Sequence, residues 1–318
     1  MSEAVALFLS QAIEGYLIDF TINHSPETKK VYGPYLKQFL AWQKDVRINE
    51  IAPANLSSYM VYLNTEYQVK RVKGSTRGTQ LSSSALDNHW KVIRSFFKWC
   101  GLNLGIERPD LKLPRPEVVT PEIISFTRDE IKQLLNACEW TKPIERRTTK
   151  AYRVKKPCSL RNKAILLLLL DTGVRIGELC RLLPEDIDLS TGTISIKPFY
   201  SNRKARPRQI PIGHKVKRLL WQYQVDHVFN GSFFGLVPQN VRLFMWRLEK
   251  QTGIKQVHPH RFRHTFAIQF LKNGGNVYSL QYILGHRSLE MVKRYLRLAD
   301  LDIKAIHEQA SPADRWNF

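Results

Sequence analysis

The chain is short of acid. Its 318 residues carry 28 aspartates and glutamates against 49 lysines and arginines, a formal net charge of +21. A face solvated for its own sake mixes both signs. An excess of this size points to a polyanionic partner, either nucleic acid or an anionic membrane surface. Long hydrophobic runs are also missing. The longest, Ala164–Leu170, falls far below the ~20 residues needed to span a bilayer. The N-terminal MSEAVALFLSQ has no basic region and no cleavage-like site, so no signal peptide is expected. Nucleic acid is the favoured partner, with no membrane and a cytoplasmic, DNA-associated location. Cysteine is scarce as well: Cys100, Cys138, Cys158 and Cys180 lie far apart, with no CxxC spacing. That argues against a disulfide framework or a zinc–thiolate site and for reduced, buried thiols. Internal repeats and low-complexity segments are absent.

What is present reads as helix. Ala4–Leu17 has helical spacing. Ser25-Pro26-Glu27 is a helix start, with an N-cap, proline at N1 and an acid in the first turn. Val31, Tyr35, Leu36 and Phe39 form a second stripe, Leu56, Tyr59, Met60, Leu63 and Tyr67 a third. Leu86, Trp90, Ile93 and Phe97 form a fourth, capped from among Ser82–Ser84. Between the last two, KRVKGSTRG (70–78) has four basic side chains, Lys70, Arg71, Lys73 and Arg77, and no acid. It is either a solvated loop or a phosphate-contacting one, and the charge of the whole chain favours the second.

Pro109, Pro114, Pro116 and Pro121 mark an extended linker. The expected organisation is a helical domain over 1–108, a linker over 109–125, and a second domain with a C-terminal tail over 126–318. A capping box, Thr127 to Glu130, opens the second domain. TKPIERRTTKAYRVKKP (141–157) has seven basic residues and one acid, and is a second candidate DNA-contacting loop through Arg146, Arg147, Lys150 and Arg153. Ser159 caps a helix with a buried ILLLLL centre, and RIGEL (175–179) starts another. The clear β signal is GTISI (192–196) with RQIPI (208–212), two alternating strands joined by the basic turn YSNRKARP. The fold class is mainly α with a small β-sheet.

HPHRFRHTFA (258–267) is odd. Cations belong at helix C-termini, yet three histidines and two arginines open a helix here. An N-terminus with its free N–H groups favours an anion, and side chains three apart share a face. His260 and Arg263 are therefore well placed around a phosphate. His264 is expected to face another way and to be structural.

Taken in order, LLLLLDTGVRIGEL (166–179), HPHRFRHTFA and LGHRSLEMVKRYLRL (284–298) resemble the catalytic domain of the tyrosine recombinase, or phage integrase, family. The resemblance covers roughly residues 120–300. The N-terminal helices resemble the family's core-binding domain in architecture more than in motif. The resemblance implies catalytic roles for Arg175, His260, Arg263, His286 and the nucleophile Tyr295, nine residues beyond His286. It puts a lysine about five residues before Arg208. That slot holds Arg203, a further candidate for DNA contact, with Lys204 next, so Lys204 is the expected residue and Lys197 the alternative. Glu178 would orient Arg175 or the lysine.

The residue types suit phosphoryl transfer. Attack on an anionic phosphodiester adds charge to its oxygens, and paired guanidinium donors meet it. A cationic pocket should ease tyrosine ionisation, with His260 as proton acceptor and lysine as donor to the leaving 5′-oxygen. The implied product is a 3′-phosphotyrosine, made without metal, ATP or other cofactor. The implied partners are a double-stranded DNA target site and a homo-tetramer on two duplexes, monomeric when free, exchanging strands through a Holliday junction. The lack of an arm-binding segment before Ala4 points to Xer-like, transposon or plasmid enzymes. Leu301, Ile303, Ile306, Trp316 and Phe318 in the tail either fold back or, as the resemblance implies, dock on a neighbouring protomer. Three rival readings stay open: a metal nuclease using His258, His260 and His264, a non-catalytic DNA-binding protein, and a relaxing topoisomerase.

Overall fold

A computed structural model describes residues 7–23, 26–69, 78–119, 122–141, 144–146, 149–198, 207–299, 307–308 and 311–316. The chain divides into two compact units, Met1–Glu122 and Ile123–Phe318. The architecture is mainly helical with a small three-stranded sheet, the class that the sequence pattern implied.

In the first unit the helices are α1 (Leu9–Asn23), α2 (Pro26–Gln43), α3 (Pro53–Thr65) and α4 (Ser83–Leu104). The first helix starts later than the sequence expectation and runs further. Residues 4–6 and the Ser25 cap lie outside the described residues. Ser82 caps α4, its hydroxyl accepting from Ala85 N–H. Tyr59, Phe39, Phe96 and Phe97 are fully buried at the centre. These rings meet edge-on, the geometry their quadrupoles prefer.

The proline-rich stretch after residue 108 is not a free strap. Asp110 and Leu113 are buried, and Trp90 Nε1 donates to the Leu113 carbonyl at 3.2 Å. Arg108 binds Asp110 through two nitrogens, at 3.1 and 2.6 Å, and Arg115 binds Asp87 likewise at 2.8 and 3.2 Å. A buried carboxylate costs several kcal/mol unless paired, and these guanidinium partners offset that cost (about 3–5 kcal/mol when one partner is removed). Prolines supply no N–H donors, so side chains anchor the segment along α4 instead.

In the second unit the helices are α5 (Arg128–Glu139), α6 (Ser159–Thr172), α7 (Ile176–Arg181), α8 (His214–Val225), α9 (Pro238–Thr252), α10 (Pro259–Lys272), α11 (Val277–Leu284) and α12 (Glu290–Ala299). Thr127 and Glu130 form the expected capping box on α5. Helix α6 is central and packs against α5, α8 and α10. Ile165, Leu166, Leu168 and Leu169 are buried, each worth about 2 kcal/mol relative to exposure. Ser159 stands inside α6, and Cys158 precedes it without a side-chain cap. Cys100, Cys138 and Cys180 are buried thiols, whereas Cys158 is exposed.

The basic segment 141–157, expected as a loop, contains two antiparallel strands, β1 (Ile144–Arg146) and β2 (Thr149–Tyr152). Ile144, Thr149 and Tyr152 are residue types enriched in strands. The three-stranded sheet has order β3-β4-β5, from β3 (Ile187–Asp188), β4 (Thr193–Ile196) and β5 (Arg208–Pro211), antiparallel throughout. The sequence pattern did not reveal β3, which is two residues long. Ile194 faces Ile210 across the β4–β5 pair, and both are fully buried. Strand alternation therefore turns Arg208 to the same inner face as Ile210. Among the described residues no helix is long and apolar enough to cross a membrane.

Candidate active site

The site is organised by a helix end. An α-helix leaves its last carbonyls without partners, and they carry the negative end of the macrodipole. At the end of α11 three consecutive carbonyls each capture a different arginine. Ile283 O accepts from Arg208 Nε at 2.9 Å, Leu284 O from Arg263 Nη2 at 2.7 Å, and Gly285 O from Arg175 Nη2 at 3.3 Å. Residues from β5, from α10 and from the N-cap of α7 thus meet at one turn. Gly285 has φ +63°, and a Cβ there would stand 3.0 Å from the Arg208 guanidinium, so glycine suits both the backbone and the approach.

Arg175 is placed by the end of α6. Gly173 closes that helix at φ +60°, and an added Cβ would fall 2.5 Å from the Phe266 ring. The Gly173 carbonyl accepts from Arg263 Nη1 at 2.7 Å. Glu178, one turn into α7, accepts from the Arg175 backbone at 2.9 Å, from its Nη1 at 3.1 Å and from Arg208 Nη2 at 2.8 Å. Burial pulls the Glu178 carboxyl upward, but the pairing with Arg208, aided by Arg175, outweighs it and holds the group below the usual carboxylate range. Glu178 therefore orients Arg175, as expected, and also a buried arginine that the sequence reading used only as a counting mark. The available signal was Arg208-x-Ile210 alternation.

The crowded start of α10 resolves residue by residue. His258 caps the helix, its Nδ1 accepting from Arg261 N–H. Arg261 turns inward to Glu130 and lies 3.8 Å from the Phe126 ring centre, a structural role. Arg263 is 5 % exposed and is the arginine that reaches the α11 turn. Burial first, then the Arg175 charge, lower its guanidinium to about 10, so it stays cationic at neutral pH. His260 is on the exposed side, and burial of its ring, followed by Arg263, Arg175 and Arg242, lowers its pKa.

Arg263 Nη2 also donates to His286 Nε2 at 2.8 Å. His286 must then carry its proton on Nδ1, a buried atom with no hydrogen-bond partner among the described residues. The ring is stacked on Tyr295, with centroids 6.4 Å apart and planes 8° from parallel. Burial, then Arg263 and Arg175, bring His286 down to about 4.

Tyr295, on α12, is 5 % exposed. Its hydroxyl is 2.9 Å from His264 Nδ1. Two expectations are corrected here. His264 does not face away, because residues four apart stack on one helix face, and its ring centre is 6.4 Å from that of His260. Nor do the cations win at Tyr295: burial raises its pKa, and Arg263, Arg294 and Arg175 oppose this without overcoming it. Among the described residues no group of three or more histidines, cysteines or acids is gathered to hold a metal.

The other sequence candidates are less concentrated. Lys197 makes an ion pair with Asp186 at 2.5 Å, which raises its pKa and ties it to the sheet's own end. Arg153 is exposed, and Arg146 and Lys150 lie on β1 and β2. Lys204, Arg203, Lys70, Arg71, Lys73, Arg77 and Arg147 lie outside the described residues, as do Leu301, Ile303, Ile306 and Phe318. A substrate whose bridging 5′-oxygen is sulfur separates the two lysines, since a thiolate leaves without a proton. Lys204→Ala is expected to slow cleavage of a normal duplex and to recover on the sulfur substrate, and Lys197→Ala to behave as wild type. Recovery confined to Lys197→Ala would transfer the role to that residue.

Residues 125–301 match the phage integrase family. The tyrosine recombinase XerA of Saccharolobus solfataricus (strain P2) is 30% identical over 280 residues, covering 87% of this chain and 84% of that protein. The solved Tn1549 transposon integrase in complex with circular intermediate DNA superposes with a TM-score of 0.69 at 17% identity, covering 91% of this chain and 95% of that one. A lambda integrase tetramer bound to a Holliday junction gives 0.68 at 15%, covering 92% and 78%. At such identities the two structures show the fold. The family match over more than half of the chain, the relative that spans most of it, and motifs that run in the family's order agree, and the chain belongs to the phage integrase family of tyrosine recombinases.

Proposed function

We propose that this protein is a site-specific DNA recombinase that cleaves and rejoins DNA through a 3′-phosphotyrosine at Tyr295. One observation carries the reading: Arg175 and Arg263 are anchored on adjacent carbonyls of the α11 turn, beside His286 and Tyr295. Fixed guanidinium groups supply paired donors where charge develops on the phosphoryl oxygens. His286 Nε2 accepts from Arg263 and so helps to hold that guanidinium in place.

In the reaction, the Tyr295 oxygen attacks phosphorus as the bond to the 5′-oxygen breaks. The hydroxyl proton passes to His260, and Lys204 protonates the departing 5′-oxygen. The phosphotyrosine keeps the energy of the broken bond, so rejoining by a 5′-hydroxyl needs neither ATP nor metal. The first unit acts as the core-binding domain, with the second as the catalytic domain. The excess of +21 and the basic stretches 70–78 and 141–157 serve the phosphate backbone. Four protomers on two duplexes exchange strands pairwise through a Holliday junction, an assembly supported by the lambda integrase neighbour, and the tail docks on the next protomer.

The test is covalent capture. A duplex nicked near the cleavage site loses its 5′-hydroxyl fragment and traps the adduct. The expected result is a denaturant-resistant protein–DNA complex, formed in chelator, whose nucleotide remnant maps to the peptide bearing Tyr295. An adduct on another residue, or none, would overturn the proposal.

A further inference from the structure

The Tyr295 hydroxyl has a polar partner, His264, to which the reaction outlined above gives no role. His264 stands one turn beyond His260 on α10, half-buried, its ring centre 5.7 Å from that of Tyr295. The titratable and charged groups around it are His258 at the cap of α10, His260 and Arg263 on α10, Arg294 and Tyr295 on α12, and His286 from the turn after α11. None of these is an acid. Burial, joined by these neighbours, brings His264 down to about 4, so its ring is neutral.

A neutral imidazole has one acceptor nitrogen and one N–H. The phenol keeps its proton, because burial raises its pKa above the ordinary 10. The contact is satisfied when the Tyr295 O–H donates to Nδ1 and the His264 proton sits on Nε2. Transfer of the proton across this bond, from a phenol raised by burial to an imidazole lowered by burial, runs uphill. His264 is therefore not the base in this arrangement. Donation to Nδ1 does fix the hydroxyl's rotation, which leaves its oxygen lone pairs directed away from His264.

From this geometry we infer that His264 is a positioning residue for the nucleophile: its Nδ1 holds the Tyr295 hydroxyl and so determines where the attacking oxygen waits and how its lone pairs point. The inference rests on Tyr295 being the nucleophile. It separates two histidines of one motif: His264 holds the hydroxyl in the resting site, and the O–H turns from its Nδ1 before His260 takes the proton.

Single-turnover cleavage of the nicked duplex by the full chain tests it, with DNA affinity and melting temperature measured alongside. His264→Ala should cleave about five- to tenfold more slowly at unchanged affinity, the worth of about one net hydrogen bond. His264→Asn puts an acceptor oxygen the same number of bonds from Cβ as Nδ1 and cannot ionise. It should cleave within about twofold of wild type with the same pH profile, because the ring it replaces is neutral through that range. His264→Gln, whose acceptor is one bond further out, should stay as slow as His264→Ala. A wild-type rate for His264→Ala overturns the inference. So does an Asn variant as slow as Ala with an altered acid limb, which would make His264 the proton acceptor. If His264→Ala does not fold, the Asn and Gln variants decide by the same contrast. Absence of a Tyr295 adduct in the wild-type protein would remove the nucleophile itself and is seen separately.

Discussion

Tyr295→Phe is expected to form no covalent complex with a nicked duplex and still to bind it as the wild type does. The substitution removes one oxygen and keeps the ring. That ring is 5 % exposed and stacked on His286, and both features survive in phenylalanine. The fold should hold, with a modest cost of about 1 kcal/mol because His264 Nδ1 loses its donor. The oxygen removed is the one the proposed reaction uses as nucleophile. The measurement is a denaturing gel beside a native gel shift. A covalent band from the Phe variant would reassign the nucleophile.

Arg175→Ala and Arg263→Ala are expected to cleave about 10²–10³-fold more slowly, the cost of one lost oxyanion donor in other enzymes. The two differ in stability. Arg175 is 41% exposed in its side chain and gives up one weak carbonyl bond and a pair with Glu178, so its variant should melt near the wild-type temperature. Arg263 satisfies the carbonyls of Gly173 and Leu284, and its removal leaves both in a buried setting at about 1–3 kcal/mol each. Its variant should melt lower as well as cleave slowly. Arg263→Lys keeps the charge but lacks the planar fork that reaches two carbonyls and His286 at once, and should recover little rate. DNA affinity should change less than rate in all three, because each removes or alters one cation in a chain of net charge +21. A wild-type cleavage rate from either alanine variant would show that its guanidinium does not meet the phosphate.

Much of this molecule could be read from local pattern. The capping box at Thr127, the stripes of α3 and α4 and the alternation in β4 and β5 follow periods of 3.6 and 2 that a linear sequence displays directly. Where the pattern was weaker, the reading slipped. Two-residue β3 has no period to detect, and 141–157 read as loop because strands of three and four residues rich in charge carry no clear alternation.

The sequence by itself determined the helical class with a small sheet built on β4 and β5, the pull toward a polyanionic partner, and the order of arginine, histidine and tyrosine motifs that carries the family. It did so because composition and short-range periodicity are properties of the chain alone. Only the tertiary structure decided which cations serve the site. Arg261 and Arg263 are two apart in one motif, yet one is spent on Glu130 and the other meets Leu284 and His286. Arg208 joins Glu178 across 30 residues and Ile283 across 75, and His264 meets Tyr295 across 31. Such pairings depend on how α10, α11, α12 and β5 pack together. The unsatisfied carbonyls at the end of α11 draw the arginines to one turn only once that packing has buried them.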